Sequence, residues 1–164
     1  MKKTVGLILI LLGIISVGNI ILAAEKEKAR DVSEDEVLNF IKVFPNLHEK
    51  LNVKSAEPDS FLKAIQVNKD IANLAKEYGY ENENDMMRVF GGVLASYAFL
   101  KYEESEALLK ESLATLPPAL AAAMKPQLET IKKTLQDQKK LISDKTIDAV
   151  KKHYAEIDAM FQSP

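Results

Sequence analysis

The sequence predicts an all-α protein, a compact bundle or array of about five helices around one buried central helix. Three observations support this prediction. Apolar residues recur every three or four positions through most of the chain, as they do on one face of a helix. Pro58, Gly79 and the pair Pro117 and Pro118 fall between these stretches, where helices begin and end. Apolar and polar residues do not alternate as they would in a half-buried strand.

The composition is that of an ordinary globular protein. The 164 residues are 47% hydrophobic and 28% charged, and the formal net charge is −2. This length suits one domain, which we expect to span residues 33–164. The nearly neutral charge and the absence of tryptophan disfavour nucleic acid as a partner. The absence of cysteine excludes disulfides, thiolate metal sites and a lipid-modified cysteine.

Residues 1–24 have the pattern of a secretory signal peptide. Two lysines lie near its start, an uncharged run rich in Leu and Ile follows, and two alanines precede the return of charge at Glu25. The run approaches the roughly 20 residues that span a bilayer, so an uncleaved membrane anchor is the alternative. In both cases the domain is exported, to the periplasm or the outside, and only this segment, if uncleaved, contacts the membrane. Residues 25–32 are predicted to be a flexible lead-in.

The first helix is predicted to begin at Ser33, because Ser33 and Glu36 have the spacing of a capping box. Pro45 lies inside the apolar stripe of this helix, and we expect it to kink the helix or to break it in two. The predicted buried stripe is Val37, Ile41, Phe44, His48 and Leu51.

The second helix is predicted from Pro58, a residue that suits a first helical turn, to about Tyr78. Gly79 follows and is expected to end the helix in the left-handed conformation that glycine adopts easily. Asn68 is an unusual polar residue on the apolar face of this helix.

The central helix is predicted at about residues 85–113, capped by Asn82 or Asn84. Both sides of this helix are apolar, so the helix must be buried. One side carries bulky residues and the other carries small residues, which would let another helix approach closely. The bulky side comprises Met86, Val89, Phe90, Val93, Leu94, Tyr97 and Leu100, and the small side comprises Gly91, Ala95 and Ala98.

Two further helices complete the prediction. The two prolines in residues 115–118 are predicted to end the central helix, and another helix follows from about Ala119. Pro126 is expected to kink that helix or to start it afresh. The last helix is predicted to be capped by Ser143 or Asp144 and to continue to Phe161.

The sequence carries no motif of nucleotide binding, zinc hydrolysis or nucleophilic catalysis. Our first functional hypothesis is therefore a non-enzymatic binding module for a protein partner or a small apolar ligand. Its candidate ligand-binding residues are Asn68, Arg88, Tyr97 and Tyr102. A structural ion pair is the competing interpretation of Arg88, and ordinary core packing is that of the tyrosines.

Two alternatives belong to other classes of protein. A helical bundle could hold a b-type haem or a metal ion through His48 with Met86 or Met87, since His and Met together ligate haem iron in some cytochromes. Core packing explains the same three residues without a ligand. The other alternative is a hydrolase or lyase with acid-base residues in a helical cleft, which requires clustered ionisable groups with perturbed titration.

Overall fold

The computed structural model describes residues 31–51, 64 and 70–162. This part of the chain is mostly helical and contains no strand, which confirms the all-α prediction. The predicted signal peptide, the predicted helix start at Pro58 and Asn68 lie outside the described residues. No helix within the described ranges has the length and hydropathy needed to cross a membrane. The described helices are α1 (Glu34–Lys50), α2 (Ile71–Glu77), α3 (Glu83–Thr115), α4 (Pro118–Lys139), α5 (Asp144–Lys152) and α6 (Tyr154–Gln162).

Helix α1 begins with the predicted capping box. The Ser33 hydroxyl accepts a hydrogen bond from the Glu36 amide at 3.3 Å, and the Glu36 carboxylate accepts one from the Ser33 amide at 2.7 Å. The predicted break at Pro45 is wrong, because α1 is continuous through this residue. A proline inside a helix costs about 3 kcal/mol. Burial of Phe44 and Leu47 on either side, at roughly 2 kcal/mol each, offsets that cost and holds both halves against one core.

The buried face of α1 is displaced from the predicted stripe. Ile41, His48 and Leu51 are only half-buried at its edge. Two neighbouring sets of residues both satisfy a 3.6-residue period, and only the position of the core selects between them. The residues of α1 that are buried are Val37, Phe40, Val43, Phe44 and Leu47.

Helix α3 contacts each of the other five described helices. It begins at the predicted cap, where the Asn82 side chain accepts a hydrogen bond from the Asp85 amide at 3.0 Å. The bulky side of α3 lies in the main apolar cluster with residues from α1, α2, α5 and α6. On the small side, Ala98 packs with Ile131 and Leu135 of α4. The predicted close approach of another helix therefore occurs on this side.

Gly79 follows α2 with φ at 84°, so it adopts the predicted left-handed conformation. Helix α4 is continuous through Pro126, so of the two outcomes predicted there the new helix start is excluded. The carbonyl that loses its partner belongs to Ala122, which is exposed and can be hydrated. The predicted last helix is divided at His153, whose amide donates to the Val150 carbonyl at 3.1 Å in a tight turn. The described residues thus form six helices instead of about five.

Residues 31–33, which we call the N-terminal strap, lie between α3 and α5. The Val32 amide donates a hydrogen bond to Oγ1 of Thr146 at 2.9 Å, and the Val32 side chain is 2% exposed. A Cβ atom at Gly92 would lie 2.7 Å from Cγ2 of Val32, so glycine permits this approach. The end of the predicted flexible lead-in is thus packed into the domain.

Candidate functional site

Arg88 occupies the centre of a charged clamp at the start of α3. Its guanidinium forms ion pairs with Glu36 of α1 and, at 2.8 Å, with Asp85 of α3. It also donates to the carbonyl of Asp31 in the strap at 3.2 Å. Arg88 therefore joins α1, α3 and the strap, which is the geometry of the structural ion pair. Its role in ligand binding stays a prediction.

The surroundings of Glu36 and Arg88 favour the charged form of each side chain. Burial raises the pKa of Glu36, but hydrogen bonds from Ser33 and Arg88 outweigh it and hold the pKa below its usual value. Burial likewise lowers the pKa of Arg88, but the hydrogen bonds to Asp85 and Glu36 raise it overall. The clamp is consequently ionised throughout the neutral range.

A second polar cluster connects α3 with α6. The Tyr97 hydroxyl donates to Asp158 at 2.7 Å, and the Lys101 ammonium donates to the same carboxylate oxygen at 2.9 Å. Lys101 also pairs with Glu104 at 3.4 Å, and the Tyr154 hydroxyl donates to Glu104 at 2.6 Å. These contacts come from one side of α3 and from the first turns of α6.

Titration within this cluster is perturbed toward the protonated forms. Burial and then the hydrogen bond to Asp158 raise the pKa of the Tyr97 phenol well above its usual range. Burial and then Glu104 do the same for the pKa of Tyr154. Burial lowers the pKa of Lys101, but pairing with Asp158 and Glu104 raises it overall. At neutral pH these three groups therefore donate hydrogen bonds, and none of them is poised to act as a base.

The predicted ligand-binding residues of α3 do not converge on one site. Arg88 and Tyr97 are nine positions apart, which is about 13 Å along a helix, and they belong to the two separate clusters described above. Tyr102 lies in a third environment, the apolar cluster that also contains Ile131 and Leu135 of α4. Asn68 lies outside the described residues.

The predicted haem or metal residues have the contacts of core and boundary side chains. Met86 is fully buried in the main apolar cluster, and Met87 packs against that cluster. The His48 ring lies 5.9 Å from the Phe44 ring at the edge of α1. No group of three or more His, Cys, Asp or Glu side chains in the described part of the chain could hold a metal ion.

A shallow groove of about 370 Å³ runs between the strap and α5. Four of its five charged lining residues pair with one another: Lys152 binds Glu34, and Lys145 lies 3.7 Å from Asp31. Because the lining combines three acids with two lysines, the groove offers no concentration of one charge to attract an ionic ligand.

The surface that stands apart from these paired clusters is where α3 turns into α4. Residues 113–124, which we call the hairpin tip, contain no charged residue, and Thr115 is the one polar side chain among them. Eight of these twelve residues are exposed and the other four are half-buried. Leu120 is 49% exposed, which makes it the more exposed of two large hydrophobic residues that the structure leaves open to solvent among its described residues.

The tip projects because α3 and α4 are longer than the core they contribute to. Among the side chains that the structure describes, the last buried one in α3 is Ser105 and the first in α4 is Ile131. From residue 106 to residue 130, none of the described side chains is buried. This surface was not among the predicted sites, although the uncharged run around two prolines is a signal of it that the sequence shows.

Comparison with models of protein families, with curated proteins and with solved structures finds no match for this chain.

Proposed function

We propose that this chain is an exported, non-enzymatic binding module that engages its partner through the hairpin tip. One observation carries the proposal: twelve consecutive uncharged residues, nearly all apolar, are exposed or half-buried at the end of a helical hairpin. A contiguous apolar patch of a few hundred Å² on the surface of a soluble protein is often a functional contact. Among the described residues, the other exposed large hydrophobic residue is Leu38 of α1, at 43%. Leu38 is a single residue, whereas the tip is a continuous uncharged run.

The rest of the domain serves as the scaffold in this proposal. The first half of α3 is fixed by the apolar cluster, the Arg88 clamp and the Tyr97 cluster. The N-terminal strap, which follows the predicted signal peptide, contacts α3 at Gly92. From Gly92 to Leu116 the helix advances about 36 Å. The tip therefore lies at the far end of α3 from the contact between this helix and the strap.

The proposal is tested by photo-crosslinking in the cells that make the protein. Benzoylphenylalanine replaces Leu120 in one chain and Leu38 in another, because Leu38 is a leucine of similar exposure, at 43%, on α1. We expect adducts of higher mass from the exported protein labelled at position 120 and far fewer from that labelled at position 38. Equal yields at the two positions, or no adduct at position 120, would contradict the proposal.

A further inference from the structure

We infer that the hairpin tip inserts shallowly into the surface of a lipid bilayer. This inference rests on the proposed function and names the class of partner. It also goes beyond the sequence, which predicted membrane contact through the N-terminal segment alone. Three properties of the tip support it: its small area, its paired backbone donors and the positions of its flanking lysines.

The area of the tip is small for a stable contact with a folded protein. Residues 118–124 of α4 extend about 10 Å along the helix, and two helices side by side are about 20 Å wide. The apolar surface therefore measures a few hundred Å², whereas a standard protein interface buries about 800 Å² from each partner. An inserted tip, in contrast, is surrounded by lipid on all its sides and needs no matching surface.

The backbone N–H groups at the turn can enter an apolar medium at low cost. An unpaired N–H group in lipid costs several kcal/mol, which restricts the structures that can be buried there. Pro117 and Pro118 have no N–H group. The amides of Leu120 and Ala121 both donate to the Pro117 carbonyl at 3.0 Å, and the Leu116 amide donates to the Leu113 carbonyl at 3.3 Å. Five of the six positions from 116 to 121 thus present no free donor.

Two lysines mark the depth at which insertion stops. Lys110 lies six residues before Leu116 and Lys125 seven residues after Pro118, so each is about 10 Å from the turn. Both are exposed, and such lysines extend toward headgroup phosphates while apolar residues below them are buried. Glu111 of α3 is also exposed, about 7 Å from the turn. Because its charge stays in water, the end of α3 enters the bilayer less deeply than the start of α4.

The experiment measures the environment of the tip directly, with the protein as its host exports it. Because the chain contains no cysteine, Ala123→Cys, an exposed tip position, and Lys145→Cys, near the strap, each accept one environment-sensitive fluorophore. Vesicles of phosphatidylcholine with about one-third phosphatidylglycerol are then added. We expect the emission at position 123 to shift to the blue and to be quenched by brominated acyl chains. Emission at position 145 stays unchanged.

Variants show whether the apolar tip is responsible. Leu120→Glu should abolish the shift at position 123, whereas Leu38→Glu, the matched exposed leucine on α1, should leave it intact. Replacing Lys110 and Lys125 by glutamine should weaken binding to the anionic vesicles by about fivefold for each lysine. Circular dichroism of each variant confirms that it is folded. A chain held in the vesicle by its N-terminal segment alone would not produce this pattern.

Two results would overturn the inference. One is a fluorophore at position 123 that stays in water with vesicles present, and the other is a shift that Leu120→Glu does not reduce. If either is found while crosslinking at position 120 still yields a protein adduct, the tip binds a protein and the proposed function stands. If crosslinking at position 120 also fails, the proposed function fails with it.

Discussion

At the scale of single residues, the contact between Val32 and Gly92 shows how one side chain fixes the start of the domain. Val32 lies against α3, and its amide donates a hydrogen bond to Thr146 of α5. The neighbouring Asp31 carbonyl is held by Arg88. The last residue of the predicted lead-in is thus positioned by two helices, and the approach is possible because Gly92 has no side chain.

Gly92→Ala should destabilise the protein. Alanine improves helix propensity by about 1 kcal/mol, but its Cβ would lie 2.7 Å from Cγ2 of Val32, a stiff, β-branched and buried side chain. Overpacking of this kind costs about 1–3 kcal/mol. We therefore expect a net decrease in the free energy of unfolding, by about 1 kcal/mol, in urea denaturation.

The control for this prediction is the same substitution in a Val32→Ala background. There the nearest remaining atoms would be Cγ2 of Thr146 at 3.7 Å and Cβ of residue 32 at 4.0 Å, both ordinary contacts. Gly92→Ala should then be neutral or stabilising. If it is equally destabilising in both backgrounds, the contact with Val32 is not the reason for glycine at this position.

Glu36 should make the stability depend on pH in the acid range. Its folded-state pKa lies below its unfolded-state pKa, so its contribution is complete above the ordinary value of 4.5 and is lost as the pH falls through the folded-state pKa. Because the pair is partly solvated, we expect the contribution to be about 0.5–1 kcal/mol. Urea denaturation between neutral pH and pH 3 should show a smaller acid-induced loss of stability in Glu36→Gln than in the parent chain.

The exposed residue Glu103 provides the comparison for this effect. Glu103→Gln should leave the acid-induced loss nearly unchanged. If the free energy of unfolding falls equally with acid in the parent chain and in Glu36→Gln, the clamp contributes nothing to the acid sensitivity.

At the scale of elements, local capping and distant packing determine where the helices begin and how they continue. Ser33, Asn82 and Ser143 each accept a hydrogen bond from an amide three residues later, as their sequence contexts predict. Helix interiors behave differently, because α1 and α4 both pass through a proline. Local rules thus describe the ends of these helices better than their interiors.

The cap of α3 can be tested with a neighbouring control. Asn82→Ala removes the acceptor of the Asp85 amide and should lower the free energy of unfolding by about 1 kcal/mol. Asn84→Ala, two residues into the exposed first turn, should change it by less than about 0.5 kcal/mol. Thermal and urea denaturation would measure both. A larger loss for Asn84→Ala would show that the wrong asparagine has been identified as the cap.

At the scale of the whole molecule, α3 belongs to two regions with different surroundings. Its first half is enclosed by α1, α5 and α6 in the main cluster, whereas beyond Ser105 it has α4 as its principal neighbour. Buried apolar contacts decrease along the helix in the same direction. A single helix therefore connects the packed scaffold to the proposed binding surface.

Hydrogen exchange should report this division. Local stability follows burial, so amides from Phe90 to Ser96 should be protected at least about tenfold better than those beyond Lys110. Mass spectrometry of peptides from α3 in solution, without vesicles, would measure this difference. Uniform protection as far as Thr115 would show instead that the hairpin and the core open as one cooperative unit.

The sequence by itself determined the helical class, the cap at Ser33, the glycine that ends α2 and the turn of two prolines between α3 and α4. For α3 and α5 it narrowed the cap to two candidates each. Each depends on residues within about four positions of one another, and hydrogen bonds of that range follow from residue type. The small side of α3 was also predictable, since a helix with two apolar sides must be packed on both.

Tertiary structure decided the course of the helices through proline, their buried faces and the pairing of their polar residues. These features depend on residues of neighbouring helices and not on residues nearby in the sequence. Packing keeps α1 continuous through Pro45, and it places Phe40 and Leu47 on the buried face. It joined Arg88 to Glu36 across 52 positions and Tyr97 to Asp158 across 61, so these polar residues became parts of the scaffold. The hairpin tip is exposed for the same reason: α3 and α4 extend past the other helices that the structure describes.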